Sequence, residues 1–218
     1  MYVNPAFKTD EDAAWAYVSE RGFGTVVAHD GGQPLAAQVP LLVREQAGTG
    51  LRTLEFHVAR ANPLHEVIAR HPRILVAVSG PDAYISPDWY TSADQVPTWN
   101  YQSAHIVGTG LAMEAGRTLE HVERMSLHFE ERLAPKKPWS TSKVSPKKLE
   151  AMLRAIVAIE IEVETIEAST KLGQNKSVAD RMEAARMLAW RGGWAEAAVA
   201  RAMRQQIKAG MTVAKEDA

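Results

Sequence analysis

The chain has 218 residues, 46% of them hydrophobic and 23% charged, with a formal net charge of −1. That balance excludes a disordered chain and any global electrostatic pull toward nucleic acid or an anionic membrane, and the length fits one large domain or one domain with a helical appendage. With no cysteine at all, disulfides, thiolate metal sites and thiol catalysis are excluded. No apolar run approaches the ~20 residues needed to cross a bilayer, and the first residues lack a basic start followed by an apolar core, so a cytoplasmic protein is expected.

In chain order, Thr9-Asp10-Glu11-Asp12 opens a capped helix with acids in its first turn. Ala14, Trp15 and Val18 face inward, and the helix stops at Gly22. Gly24–Ala28 and Leu35–Val43 predict two buried strands joined through the turn His29-Asp30-Gly31-Gly32. Leu54–Val58 alternates apolar Leu54, Phe56 and Val58 with Glu55 and His57, as a strand does. It runs out through Arg60 and Asn62 to Pro63, which should open a helix to Arg70 at its first position. A strand that ends in a basic residue and a helix start suits an anion.

Ile74–Ser79 reads as a central strand, Gly80-Pro81-Asp82 as a turn, and Ala83–Ser86 as another strand stopped by Pro87. A loop carrying Trp89 and Tyr90 leads to a strand from Thr98 to about Met113. Arg117–Leu133 is helical, with Leu119, Val122, Met125 and Phe129 at helical spacing. After a lysine- and proline-rich loop, Pro146–Ala155 predicts a short helix. In Val157–Val163 the odd positions are apolar and Glu160, Glu162 and Glu164 alternate with them, which fits a sheet with one solvated face. The phase breaks at Thr165-Ile166, where a bulge would fit. Ser177 caps a helix to about Trp190, and Ala195–Lys208 forms a second one with Val199, Met203 and Ile207 on one face. Strands in hairpin-like order with one internal helix favour an antiparallel barrel over βαβ units.

Several familiar sites are absent. Gly108-Thr109-Gly110 is not completed as a dinucleotide fingerprint, and there is no phosphate loop, paired-histidine zinc motif or serine-hydrolase elbow. His121 and His128 share a helix face without a nearby third ligand, so no metal site is expected. Three segments remain polar where strands end: Phe56–Asn62, Val96–Gln102 and Lys171–Lys176. They offer Arg60, Lys171 and Lys176 as cations, Asn62, Asn100, Gln174 and Asn175 as donors, and Trp99 and Tyr101 as planar surfaces. Such a set suits an aromatic ligand bearing a phosphate.

The runs Gly80-Pro-Asp-Ala-Tyr-Ile-Ser-Pro-Asp-Trp-Tyr90, Val96-Pro-Thr-Trp-Asn-Tyr101 and Lys171-Leu-Gly-Gln-Asn-Lys176 resemble the PaiB family of FMN-binding negative transcriptional regulators, from Met1 to about Leu188. Gly173 stands where that family's loop pattern has serine. The resemblance implies a mainly β fold with helices, an antiparallel, Greek-key-like split β-barrel of the pyridoxamine-phosphate oxidase kind. The barrel would occupy residues 1–170, and 171–218 would form a C-terminal helical pair packed on it. It implies a homodimer with FMN at the subunit interface. Carried over by position, His57, Val58, Ala59, Arg60 and Asn62 would bind flavin phosphate and one ring edge. Thr98, Trp99, Asn100, Tyr101 and Gln102 would supply ring or partner-subunit contacts, joined by Lys171, Gln174, Asn175, Lys176 and Gln38. DNA is a partner at family level only, because the turn Trp190–Trp194 fits an αα-hairpin better than a helix-turn-helix. Two further readings stay open: a flavin-dependent oxidoreductase using His57 or Tyr101 as proton donor, and a barrel without flavin that serves as an interaction module.

Overall fold

A computed structural model describes residues 1–46, 48–114 and 116–216. The chain forms β1 (Lys8–Thr9), α1 (Glu11–Arg21), β2 (Phe23–Ala28), β3 (Leu35–Pro40), β4 (Leu42–Glu45), β5 (Arg52–Ala59) and α2 (Leu64–Arg70). There follow β6 (Arg73–Ile85), β7 (Thr98–Ala112), α3 (Arg117–Glu131), α4 (Pro146–Arg154), β8 (Ile156–Lys171), α5 (Val178–Arg191) and α6 (Trp194–Glu216). Two compact units divide it. One comprises Asp12–Val78 and His105–Ile166, the other Met1–Glu11, Ser79–Ala104 and Glu167–Ala218.

The first unit holds β2 to β5 whole and part of β6, β7 and β8. The strands of the chain are ordered β3-β2-β6-β7-β8-β5-β4 in an open antiparallel sheet. β3, at one end of that order, also packs against β5 near the other, so the sheet curls toward closure. Alternation along the strands sends Val26, Val39, Leu54, Phe56, Val76, Ile106, Ile159 and Ile161 into a core where each is at most 2% exposed. The glycines that fail as a dinucleotide fingerprint are packing devices. A Cβ on Gly108 would stand 2.3 Å from the Glu162 carbonyl oxygen, and one on Gly110 2.9 Å from Ile68. Only glycine lets these segments approach so closely.

The second unit has a core of its own. Ala83, Ile85 and Leu172 pack with Ala184, Ala185 and Leu188 of α5 and Val199, Ala200 and Met203 of α6. Ser177 Oγ accepts from the Asp180 N–H at the start of α5, as the capping pattern predicts. Gly192 closes α5 in the left-handed conformation (φ 79°). The two helices form an αα-hairpin, with Val199, Met203 and Ile207 buried on the expected face. β1 pairs with β8 through Lys8↔Ser169 and Thr9↔Ala168.

Four local expectations need correction. The segment Leu35–Val43 is two strands, divided at Leu41, whose N–H bonds the Gly22 carbonyl instead of a ladder partner. Gly80-Pro81-Asp82 makes no turn but lies within β6. Proline's fixed φ is compatible with extended backbone, and strand pairing overrides the local turn preference. The phase break expected at Thr165-Ile166 is present, with Glu164 and Thr165 both exposed, and β8 continues past it to Lys171, with β1 pairing at Ala168 and Ser169. Pro63 is the N-cap of α2 rather than its first residue. Finally, α3 buries Thr118, His121 and Met125 rather than the stripe through Leu119 and Val122.

Candidate functional site

The polar face of β5 turns inward. Glu55 and His57, two residues apart, lie on one side of the strand, and Glu55 is only 1% exposed. They meet α3, whose His121 is wholly buried. His121 Nδ1 lies 2.9 Å from Glu55 Oε2, and His121 Nε2 lies 3.0 Å from His57 Nδ1. Arg124, one turn along α3, donates from Nη2 to both Glu55 oxygens at 2.9 and 3.1 Å. Arg44 Nε stands 3.9 Å from the same carboxylate. Burial works against ionisation of Glu55, but the bonds from His121 and Arg124 outweigh it and hold its pKa below the ordinary value. Burial and the neighbouring His121 push His57 down to about 4, so its ring is neutral at pH 7. A cleft of about 630 Å³ opens beside Glu55, lined by Arg44, Arg52, Arg117, Arg124 and Glu160 among others.

This buried network was not foreseen from sequence. Glu55 and His57 read as the polar alternates of a strand, His57 entering only as a flavin contact carried over from the family, and His121 as a solvated or partly packed helix residue. The available signal was the spacing Thr118–His121–Met125, a helical stripe with a histidine in it, set against two ionisable residues alternating in one strand.

The residues carried over from the family fall in both units. In the first unit, Val58 is buried, His57 and Asn62 are half-buried, and Ala59 and Arg60 are exposed. The Arg60 side chain donates from Nε to the Arg154 carbonyl (2.8 Å) and from Nη2 to the Ile156 carbonyl (3.0 Å), which fixes it across the α4–β8 junction. Asn62 Oδ1 accepts from the Leu64 N–H (3.0 Å), the first N–H of α2, a helix of only seven residues. Gln38 is exposed on β3, opposite Thr25 of β2 and apart from the 57–62 turn in sequence and strand.

In the other unit the 98–102 strand and the 171–176 loop do come together. Lys171 Nζ donates to Thr98 Oγ1 at 2.7 Å and lies 5.7 Å from the Phe7 ring centroid. Asn100 is buried, with Nδ2 3.4 Å from Met203 Sδ and Oδ1 without a partner. Trp99 is 53% exposed and packs edge-on to Tyr84, while Tyr101 and Gln102 are half-buried. Gln174 is spent on its own loop: Oε1 accepts from the Leu172 N–H (2.7 Å), and Nε2 donates to the Thr170 carbonyl. Lys176 donates to Gln95 and sits 5.5 Å from the Tyr90 ring. Asn175 is exposed. Gly173 has φ 81°, so the serine of the family pattern would be strained here although space exists, with Arg181 Cγ 3.5 Å from a built Cβ. Beside this loop, Asp180 accepts from the N–H and hydroxyl of both Thr91 and Ser92, at 2.7–2.9 Å. Those bonds, led by the Ser92 hydroxyl, hold its carboxyl well below the usual aspartate range. Among the described residues no group of three or more histidine, aspartate or glutamate side chains could hold a metal, and no helix is long and apolar enough to cross a membrane.

Known proteins share both sequence and fold with this chain. The protease synthase and sporulation protein PAI 2 of Bacillus subtilis (strain 168) is 37% identical over 183 residues, covering 84% of this chain and 86% of that one. Among solved structures, the FAD and heme binding protein from Mycobacterium smegmatis superposes with a TM-score of 0.54 at 15% identity, over 86% of this chain and 80% of that one. The flavocytochrome Anf3 from Azotobacter vinelandii does so with a TM-score of 0.52 at 15% identity, over 75% and 68%. These two share the fold. The family model described as "Putative FMN-binding domain" matches residues 1–165, so the chain belongs to that family of FMN-binding domains, and FMN is its cofactor.

Proposed function

We propose that the chain is a homodimeric cytoplasmic flavoprotein that seats FMN at its subunit interface and acts as a negative regulator of transcription. The observation that carries this reading is the 37% identity to the Bacillus sporulation protein, sustained over most of both chains. Two features of the residues fit a flavin. Arg60 is exposed and uses two of its five N–H donors on backbone carbonyls, so it is held in place with three donors to spare for a phosphate dianion. Asn100 Oδ1 is a buried acceptor without a partner, suited to a ring N–H. Because α2 is short and its first N–H is already bonded to Asn62, the phosphate rests on Arg60 rather than on a helix dipole.

In this reading His57, Val58, Ala59, Arg60 and Asn62 of one subunit hold the phosphate, through Arg60, and one edge of the flavin ring. Thr98–Gln102, with Lys171, Gln174, Asn175 and Lys176, serve the flavin bound by the partner copy. Gln38 lines the barrel edge. Bound FMN supplies hydride and one-electron chemistry, while the protein supplies position and access. A second reading, an oxidoreductase acting on a small molecule, is favoured by the Glu55–His121–His57 chain, which can carry a proton.

The test is a visible absorbance spectrum of the purified protein followed by titration with FMN and sedimentation across a concentration series. A retained flavin band or saturable binding by a dimer is expected. Neither band nor binding would overturn the flavin reading, and a monomer at all concentrations would overturn the interface. Salt-dependent binding to DNA upstream of the protein's own gene is expected if regulation is direct; none at low salt would remove direct DNA binding.

A further inference from the structure

The protons in the buried network can be assigned from its bonding. Arg124 has only donors, so both Glu55 oxygens accept from it and the carboxylate is ionised. His121 Nδ1 must then carry a hydrogen and donate to Glu55. In a neutral His121 this leaves Nε2 as an acceptor, and the hydrogen in the 3.0 Å contact belongs to His57 Nδ1. The remaining nitrogen of His57, Nε2, then bears a lone pair, and among the described residues no protein group bonds to it. The ring is half-buried at the end of β5, three residues before Arg60.

We propose that Glu55, His121 and His57 form a proton relay that ends at His57 Nε2 and serves an O–H or N–H donor of the bound ligand. His57 Nε2 takes the ligand's proton as His57 Nδ1 passes its own to His121 Nε2. N–H bonds form at His57 Nε2 and His121 Nε2, while the ligand's O–H or N–H bond and the His57 Nδ1–H bond break. The positive charge comes to rest on His121, against the Glu55 carboxylate, and the negative charge stays on the ligand. The reverse sequence delivers a proton to the ligand. Arg124 and Arg44 are the charged groups facing Glu55, with Glu120 paired to Arg124 on its outer side at 3.3 Å. They keep Glu55 from taking the proton itself, so it positions and stabilises His121 instead. Since a lone pair cannot donate to a phosphate, His57 belongs to the part of the site that meets a hydroxyl or ring N–H, and Arg60 alone meets the phosphate.

The ligand assignment rests on the flavin reading, whereas the proton assignment stands without it. The experiment is long-range proton–nitrogen NMR of the full chain labelled at histidine nitrogens, without and with FMN. In the free protein His57 and His121 should both show the Nδ1–H tautomer near neutral pH. Replacement His121→Leu should return His57 to a mixture with Nε2–H, while Glu55→Gln, which keeps the shape, should abolish the single tautomer of His121. With FMN bound, the His57 Nε2 resonance should shift in the wild type. A His57 that carries its hydrogen on Nε2 in the free protein would overturn the relay. Tight FMN binding without any change at His57 would overturn the ligand assignment, and failure of FMN to bind would sink the flavin reading while leaving the tautomers to decide the relay.

Discussion

Arg124→Ala removes both hydrogen bonds from Arg124 to Glu55, a carboxylate only 1% exposed. Breaking a buried pair by deleting one partner costs about 3–5 kcal/mol when the survivor is left alone. Glu55 is not left alone, since His121 Nδ1 stays at 2.9 Å and the cleft beside it admits water. About 2 kcal/mol at pH 7 is therefore the expected loss, roughly two charge-assisted bonds less what solvent and His121 return. With a urea m-value of about 2 kcal/mol/M, the unfolding midpoint should fall by about 1 M. The pH dependence identifies the cause. Glu55 has a depressed folded pKa, so its contribution is present above the ordinary value of 4.5 and is lost as pH falls through the folded one. Without Arg124 that pKa rises and Glu55 can protonate at mild acidity. The gap between variant and wild type should therefore narrow between pH 7 and about pH 4. Urea unfolding followed by circular dichroism at both pH values reads this directly. An equal loss at both, with unchanged m, would show that Arg124 stabilises by packing and that the charge is not the reason.

Arg60→Ala should weaken FMN binding by about 10- to 100-fold, the worth of charge-assisted bonds to phosphate, and flavin fluorescence titration will read it; unchanged affinity would show that the phosphate lies elsewhere. Asp180→Asn should lower the melting temperature at neutral pH, because it loses the carboxylate that gathers Thr91 and Ser92. The depressed pKa of Asp180 means that this difference should close as pH falls below the ordinary 3.8, and a difference that persists in acid would contradict the ionic account. Gly108→Ala puts a Cβ 2.3 Å from a backbone oxygen and should cost about 1–3 kcal/mol, whereas Gly110→Ala, facing movable isoleucine ends, should cost less. Equal midpoints in urea for the two variants would refute the close approach of β7 and β8 at Gly108.

What could be read from sequence was whatever local periodicity and end signals encode. The alternation Val157–Val163, the Ser177 cap, the inward face Val199–Met203–Ile207 and the αα-hairpin all follow from side-chain spacing along one element, and each is present. The three family runs were enough to identify an FMN-binding domain. Other features depend on partners distant in the chain. Gly80-Pro81-Asp82 carries a strong turn signal yet lies inside β6, and β8 runs past its phase break to pair with β1. The wet or dry fate of Glu55 and His57 was equally open, because a strand's polar face is solvated only if nothing packs on it. Here α3, some 65 residues later, covers that face with His121 and Arg124. Burial then gives ordinary ionisable residues a fixed set of protons, which no spacing along the chain can encode, because a proton's position depends on the groups that surround it in space.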